Sequence, residues 1–254
     1  MPDGPRSPLL KLHGLTAVQV SQIFISDCGD ELPPRLRSCV DLVRQCHQSL
    51  PHVIYNDASL RQLIAERFDK EVLWAYDKLL PYPYRADLGR YCILYALGGW
   101  YFDISVQLLT GISVGPSVES LAYRDIGINT STCWGCWNAV LYSRKGNQVF
   151  ETAIRQVVEN CRNEYYGSSG LCPTGTNLLG AAFARHGSNP NAVFGDLLEI
   201  TPLRARRNLA FVLPDGTIHG FAKPVGSTLA DMGARGTNTF GPMWNARNVY
   251  RKGA

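Results

Sequence analysis

The sequence predicts an α/β fold in which helices flank a mixed, mostly parallel central sheet. Strand-like and helix-like segments alternate from the start of the chain, which is typical of a parallel sheet wound with helices. Hydrophobic residues make up 45% of the chain and charged residues 18%, as in ordinary globular proteins. At 254 residues, without a repeat or a linker, we expect one domain over residues 1–254, with residues 1–15 flexible.

The predicted elements follow from hydrophobic periodicity and from turn residues. Residues 16–26 are β-branched and alternating, Pro51 ends the first helix, and the pair Gly98-Gly99 ends the third. We expect strands over 16–26, 52–55, 100–109, 139–142 and 192–200, with a hairpin of 209–213 and 217–222, and helices over 36–50, 57–68, 85–97, 147–161 and from Thr174 or Thr176 onward.

Charge and composition exclude several classes of protein. The net charge of +4 is dispersed, which is too weak for a nucleic-acid-binding stripe but suits a nucleoside diphosphate or an anionic membrane surface. The phosphate-binding pattern Gly-x-x-x-x-Gly-Lys-Ser/Thr of nucleotide hydrolases is absent. No signal peptide and no run of 18 apolar residues is visible, so a cytoplasmic enzyme is the simplest expectation.

The eight cysteines are scattered through apolar and helical segments rather than dense as in a disulfide scaffold, so we expect reduced thiols. Cys133 and Cys136 form a lone C-x-x-C pair with no second pair at zinc-finger spacing. We therefore assign neither a metal nor a redox role to them.

Polar residues on either side of the double glycine are the candidate chemical site. Asp87 and Arg90 share a helix face because they lie three residues apart. Along the following strand, Tyr101, Asp103 and Ser105 alternate onto one face. Ligands of open α/β sheets bind at the carboxyl ends of strands, where a carboxylate can hold a divalent ion or accept hydrogen bonds from hydroxyl groups. From the residues alone, a solvated surface pair remains the alternative.

The order of these residues resembles the DXD sugar-binding region of family 32 glycosyltransferases, which include yeast-type α-mannosyltransferases, bacterial capsule transferases and, more distantly, the glucosylating clostridial toxins. Asp87, Arg90, Tyr101 and Asp103 match the pattern Asp-x-x-Arg-(x)10-Tyr-x-Asp with unbroken spacing around the double glycine. The resemblance implies a GT-A-like fold and a retaining glycosyltransferase that moves a hexose from a nucleotide sugar to a hydroxyl group.

The resemblance also implies roles for individual residues. Asp87, Arg90 and Asp103 would be catalytic, binding the donor sugar, its phosphates, the ribose and the metal shell. The opening strand would border the nucleotide, and the C-terminal tail, residues 230–254, would close over the donor. The residues it implies for donor binding are Phe24, Ile25, Asp87, Arg90, Tyr101, Asp103, Ser105 and Trp244.

For the acceptor, the resemblance implies the glycine-bearing loop Thr174, Gly175, Thr176 and Asn177, although plain helix capping explains that loop equally well. Mn²⁺ or Mg²⁺ would be held by Asp103, Ser105 and Asn238. Ser105 departs from the family, which has an aspartate there, and a hydroxyl is a weaker ligand than a carboxylate. A weakened ion site, a metal-free diphosphate site served by Arg90 and the tail, and binding without turnover are all left open.

We therefore expect a hexosyltransferase that uses a UDP-sugar, or GDP-mannose as the second choice, and a glycan or lipid-linked glycan acceptor. A lipid-linked acceptor would bring the basic tail to the inner face of a membrane. The alternative is a non-catalytic protein that binds nucleotide sugars or glycans through a degenerate motif. No nucleic-acid partner is expected, and the oligomeric state is not predicted.

Overall fold

A nine-stranded mixed sheet is the framework of the chain in the computed structural model, which describes residues 18–126, 130, 132–200, 208–224 and 228–253. The strands are β1 (Val20–Ile23), β2 (His52–Tyr55), β3 (Gly99–Phe102), β4 (Gln107–Leu108), β5 (Ser120–Arg124), β6 (Cys136–Ser143), β7 (Ala192–Glu199), β8 (Leu209–Val212) and β9 (Ile218–Phe221). The helices are α1 (Pro34–Cys46), α2 (Asp57–Arg67), α3 (Lys70–Lys78), α4 (Tyr82–Ala96), α5 (Gln148–Arg162), α6 (Thr176–Arg185) and α7 (Phe240–Asn245).

The strand order β2-β1-β3-β6-β5-β7-β8-β9-β4 confirms the mixed sheet but corrects its balance. The pairs β1–β2, β1–β3 and β5–β7 are parallel, as the alternating start of the chain predicts. The other five pairs are antiparallel, because β6 enters between β3 and β5 and the C-terminal strands form a meander. The sheet is therefore not mostly parallel.

The predicted strand over residues 100–109 is two strands. β3 ends at Phe102, and the chain turns there, with the Val106 amide donating to the Asp103 carbonyl at 3.0 Å. β4 then pairs with β9 at the far edge of the sheet. One straight strand could not reach both partners, so the predicted alternation beyond Asp103 is wrong.

Other differences concern element boundaries and short elements. The strand over 16–26 is assigned only to β1, its first two residues lying outside the described part, and α1 ends at Cys46 rather than at residue 50. Helix α3, strand β5 and helix α7 were not predicted. A visible signal existed for α3, because the Asp69 carboxylate caps it by accepting from the amides of Glu71 and Val72.

The alternation along β3 separates the two faces of the sheet. Trp100 and Phe102 pack on one face in a core that Val43 of α1 joins. Tyr101 points to the opposite face, into the larger core formed with α4 and α5. Asp103 continues on the Tyr101 side, since the Tyr101 hydroxyl donates to its carboxylate at 2.8 Å. The strand thus delivers its last polar residue to the helix that carries Asp87.

Gly98 and Gly99 make the passage from α4 to β3. Both have positive φ angles, +72° and +91°, which L-residues with a side chain rarely adopt. A Cβ on Gly99 would lie 2.3 Å from the carbonyl oxygen of Gln19. The double glycine is therefore required by backbone conformation and by close approach to the chain leading into β1.

Gly99→Ala is expected to lower the free energy of unfolding by at least about 3 kcal/mol, because left-handed strain adds to a backbone clash. Gly146→Ala is the matched control: its φ is +77° with nothing within 4 Å, so strain alone predicts about 1–2 kcal/mol. Urea denaturation of both variants measures the difference. Equal losses would mean that the contact with Gln19 is not limiting.

The C-terminal tail crosses the end of β1 and the start of α4. The amide of Asp27 donates to the Gly236 carbonyl at 2.9 Å, and the Ser26 hydroxyl donates to the Arg235 carbonyl at 2.7 Å. Phe240 then stacks on Tyr84 of α4. Residues 1–15, expected to be flexible, lie outside the described residues. None of the helices in the described ranges has the length and apolar character needed to cross a bilayer.

Candidate active site between helix α4 and strand β3

The site is a buried guanidinium held between two carboxylates. Arg90 Nη2 lies 3.2 Å from Asp87 Oδ1, and Arg90 Nη1 lies 3.0 Å from Asp103 Oδ1. The guanidinium carbon also lies 4.7 Å from the centre of the Tyr101 ring. The structure therefore brings together all four residues that the motif predicts, although two of them come from a helix and two from β3 and its end.

Asp87 is fully engaged by the protein. Its Oδ1 accepts from the Asn138 amide at 2.8 Å in addition to Arg90, and its Oδ2 accepts from the Thr174 hydroxyl at 2.7 Å. Burial raises the pKa of Asp87 above its usual value, while Arg90 and the Thr174 hydrogen bond act in the opposite direction. Asp87 is therefore a structural anchor of the site.

Asp103 is the member of the group that faces solvent. Its side chain is 33% exposed, against 10% for Asp87 and 6% for Arg90. Tyr101 and Arg90 both bind Oδ1, and within the described ranges Oδ2 has no hydrogen-bond partner. One carboxylate oxygen is thus fixed by the protein and the other is presented outward.

The surroundings of Arg90 leave little of its guanidinium for the phosphates that the sequence predicts it to bind. Besides the two carboxylates, its Nε donates to the Ala86 carbonyl at 3.2 Å and its Nη1 to the Asn138 carbonyl at 2.7 Å. Burial alone would lower the pKa of Arg90, but Asp103, Tyr101 and Asp87 raise it above its usual value, so the group stays charged. At most one of its five N–H groups remains for a ligand, which makes Arg90 a positioning residue.

Ser105 does not share the face of Asp103. It lies in the turn after β3 and is 3% exposed. The predicted placement required a continuous strand through residue 105, and that strand ends at Phe102. Ser105 is therefore not presented to a ligand beside Asp103.

Asn238 and Trp244 have other partners than those predicted. The Asn238 side chain accepts from the Tyr82 amide at 2.7 Å and donates to the Leu80 carbonyl at 3.3 Å, which ties the tail to the start of α4. The Trp244 indole donates to the Tyr166 carbonyl at 2.9 Å. Asn238 thus serves as a clamp for α4 rather than as a ligand beside Asp103.

The glycine-bearing loop supports Asp87 more than it offers groups to a ligand. Thr174 is 1% exposed and bonded to Asp87, and a Cβ on Gly175 would lie 3.6 Å from Asp87 Oδ2. Asn177 donates to Cys172 Sγ at 3.4 Å. Within the described residues, the Thr176 hydroxyl is buried without a hydrogen-bond partner, so of these four residues Thr176 alone keeps an unused polar group.

Phe24 and Ile25, predicted to border the nucleotide, are 4% and 7% exposed. Phe24 packs with Ile104 and Met232 in a small core beneath the tail, and Ile25 belongs to the core on the α4 side. Both residues are therefore buried at the end of β1, where the C-terminal tail crosses the strand.

Three further residues complete the site and were not predicted. Asn138 of β6 holds both Asp87 and Arg90, and the Tyr91 hydroxyl donates to the Thr174 carbonyl at 2.8 Å. The Gln22 amide donates to the Asp103 carbonyl at 3.2 Å and is itself paired with His52 Nε2 at 2.8 Å. The sequence signal for two of them was a single side-chain amide within a buried strand, Gln22 in β1 and Asn138 in β6.

A divalent ion fits this site only if the donor supplies most of its ligands. Among the described residues no cluster of three or more metal-binding side chains exists. Asp103 Oδ2 is an available carboxylate oxygen, and Mg²⁺ is commonly held by one or two carboxylates together with substrate phosphates. Two carboxylates and one guanidinium also leave a net charge of −1, so Arg90 has no positive charge to spare for a diphosphate.

Comparison with known proteins points to glycosyltransferases. Residues 33–124 match the family model described as glycosyltransferase sugar-binding region containing DXD motif. Inositol phosphoceramide mannosyltransferase 3 of Schizosaccharomyces pombe is 27% identical over 133 residues, covering 51% of this chain and 33% of that protein. Inositol phosphoceramide mannosyltransferase 2 of the same yeast is 25% identical over 167 residues, covering 62% and 44%.

An uncharacterized glycosyltransferase of Acanthamoeba polyphaga mimivirus is 24% identical over 140 residues, covering 54% of each chain. The chain thus spans a third to about half of the length of these relatives. Among solved structures, the PaToxG glycosyltransferase superposes with a TM-score of 0.51 at 14% identity, covering 66% of this chain and 69% of that one. The fold is GT-A-like, and residues 33–124 are similar to glycosyltransferase sugar-binding regions that contain a DXD motif.

Proposed function

We propose that the chain is a retaining hexosyltransferase that takes its sugar from a nucleotide sugar and transfers it to a hydroxyl group of a glycan or lipid-linked glycan. The observation that carries the proposal is the Asp87–Arg90–Asp103 bridge, which buries one carboxylate and turns the free oxygen of the other outward. Ribose or sugar hydroxyls of a donor would find a hydrogen-bond acceptor in that outward oxygen.

The donor and acceptor follow from chemistry and from the relatives. UDP-sugars are the first donors proposed from the sequence, with GDP-mannose as the second, and two relatives are mannosyltransferases by name, which supports mannose. Their names also contain inositol phosphoceramide, which supports a lipid-linked acceptor near a membrane surface.

Charge supports a role for Mn²⁺ or Mg²⁺. The bridge has a net charge of −1, and the diphosphate of a nucleotide sugar brings more negative charge to it. Asp103 would hold such an ion, whose positive charge would offset this repulsion and supply Lewis-acid stabilisation of a leaving diphosphate. A metal-free site in which Arg90 binds the diphosphate is less well supported, because Asp87 and Asp103 already neutralise the guanidinium.

Retention of configuration requires no dedicated base on the protein. The departing phosphate can accept the proton of the attacking hydroxyl while nearby positive charge stabilises the charge that develops on it. In this scheme Asp103 orients the donor, Arg90 and Tyr101 hold the Asp103 carboxylate, and Asp87 and Asn138 hold Arg90.

A donor panel tests the function. UDP-glucose, UDP-galactose, UDP-N-acetylglucosamine and GDP-mannose are each incubated with the chain, with and without Mn²⁺, and released UDP or GDP is measured by a coupled assay. Release from one donor, raised by an acceptor sugar, is the expected result. Tight binding of UDP or GDP in calorimetry without release from any donor would instead show the non-catalytic binding protein.

Ser105→Asp is expected to lower stability without changing the dependence on divalent ions, because residue 105 is not presented beside Asp103. A carboxylate at this 3% exposed position is costly to bury without a partner, so the variant should melt at a lower temperature than the parent. Ser105→Asn, similar in size but neutral, is the control and should melt closer to the parent. A lower Mn²⁺ concentration for half-maximal activity in Ser105→Asp than in Ser105→Asn would contradict the prediction.

A further inference from the structure

A concave surface between α5 and α6 has a lining that does not include Asp103. It is a cavity of about 460 Å³ lined by these two helices and by residues of the segments 132–134 and 163–172. Its walls include Trp134, Tyr165, Gln156, Asn163 and Cys172. We call it the α5–α6 groove.

The two aromatic residues of the α5–α6 groove are unusual for this protein. Trp134 is 48% exposed and Tyr165 is 47% exposed, and they are the only aromatic side chains among the strongly exposed large hydrophobic residues that the structure describes. Both line the same cavity. Exposed Trp and Tyr faces combine an apolar surface with a polar edge, which is what the C–H face and the hydroxyl groups of a pyranose ring require.

Neutral polar side chains make up part of the rest of the lining, beside the apolar Leu178, Ala181 and Ala182. Amide and hydroxyl groups come from Thr152, Gln156, Asn160, Asn163 and Ser168. These groups can both donate and accept hydrogen bonds, as sugar hydroxyls do.

The lining has two charged side chains of opposite sign, Glu159 and Arg185, so their formal charges cancel. Glu159 Oε1 accepts from the Asn163 side-chain amide at 2.6 Å, and Arg185 donates to the side-chain oxygen of Gln156 at 3.0 Å. A neutral, polyhydroxylated ligand therefore suits the groove better than a phosphate or a charged peptide.

One loop joins the groove to the candidate active site. On one side of this loop, Tyr84 donates to the Gly170 carbonyl at 2.6 Å and Thr174 donates to Asp87. On its other side, Cys172 lines the groove. The Asn160 amide holds the loop from below by donating to the Pro173 carbonyl at 2.8 Å.

We propose that the α5–α6 groove binds a saccharide unit of the acceptor that lies outside the reacting position, with Trp134 and Tyr165 stacked on the sugar rings. Identifying the saccharide as part of the acceptor rests on the proposed transferase function. The affinity of the groove for a saccharide does not depend on that function. It assigns a substrate-binding role to residues outside the 33–124 region.

Kinetics test the groove through the acceptor alone. With mannobiose, lactose and maltose as acceptors, Trp134→Ala and Tyr165→Ala should each raise the acceptor KM about tenfold, a loss typical of an aromatic contact, and leave donor hydrolysis without acceptor unchanged. Trp134→Phe and Tyr165→Phe should restore most of the affinity. Leu198→Ala removes an exposed apolar residue outside the groove and should change nothing. Unchanged acceptor KM in both alanine variants would overturn the proposal.

Protection of Cys172 from alkylation gives a readout that needs no turnover. Burial raises the pKa of the Cys172 thiol, but hydrogen bonds from Asn177, Ser169 and Ser168 lower it by more, so the pKa lies below its usual value. Iodoacetamide should therefore label Cys172. Each disaccharide of the panel is tested for slowing the labelling of Cys172, with exposed Cys28 as the internal control.

The outcomes separate the two proposals. Protection of Cys172 without nucleotide release from any donor would keep the groove and remove the transferase function. Normal transfer with no protection by any disaccharide would keep the function and remove the groove.

Discussion

Asp103→Asn is expected to lower kcat at least about 100-fold while the melting temperature stays close to that of the parent. The amide keeps the size of the side chain and can still accept from the Tyr101 hydroxyl, but it loses the charge that the outward oxygen offers to the ion or to the donor hydroxyls. Asp103 is one-third exposed, so removing its charge costs little stability. The measurements are single-turnover transfer and thermal unfolding.

Asp196→Asn is the matched control for this prediction. Asp196 is an exposed carboxylate that Arg124 binds at 2.6 and 2.7 Å, and its loss should leave kcat unchanged. Asp103→Asn with near-parental turnover and an intact fold would remove Asp103, and with it the proposed donor site, from the mechanism.

Arg90→Met is expected to lower the free energy of unfolding by about 3–5 kcal/mol and to abolish transfer. Methionine fills part of the space, but Asp87 remains buried with its ion-pair partner gone, and breaking a buried pair costs this much. Arg61→Met provides the control, since Arg61 and Asp77 form a pair whose side chains are 52% and 40% exposed, for which at most about 1 kcal/mol is expected. Urea denaturation measures both.

The double variant Asp87→Asn with Arg90→Met separates stability from catalysis. Removing the uncompensated charge should return most of the lost stability, because the amide introduced in place of the Asp87 carboxylate can still bond Thr174 and Asn138. Transfer should nevertheless stay absent, since the Asp103 carboxylate has lost the guanidinium and keeps only the Tyr101 hydroxyl. Recovery of transfer in the double variant would show that Arg90 is not the residue that positions Asp103.

The part of the site that lies within one regular helix and one regular strand could be predicted from the sequence pattern. The helix spacing of Asp87 and Arg90 and the double glycine are short-range features, and the structure places them as predicted. The alternation of β3 also placed Tyr101 and Asp103 on one face. The prediction for Ser105 failed because the chain leaves β3 to pair two residues with β9, a partner more than a hundred residues away.

The features of the site and the sheet that the sequence did not predict depend on partners far apart in the chain. Asn138 and Thr174 complete the coordination of Asp87 from β6 and from the loop before α6, and no periodicity relates them to the motif. The pairing of β6 between β3 and β5, which changed the balance of the sheet, is likewise decided by packing over long separations. The family resemblance implied that the tail residue Asn238 is a metal ligand, and its side-chain oxygen accepts from the Tyr82 backbone amide.

The strand order also determines how far the motif can be separated from its chain. β3 delivers Asp103, yet its two neighbours, β1 and β6, both fall outside residues 33–124. An excised fragment of that span would leave β3 with both edges unpaired and Asp87 without Asn138 and Thr174. Grafting the motif onto another scaffold would therefore require transferring β1, β6 and the loop that carries Thr174 together with it. The motif alone lacks the strands and side chains that hold Asp87 and Asp103 in place.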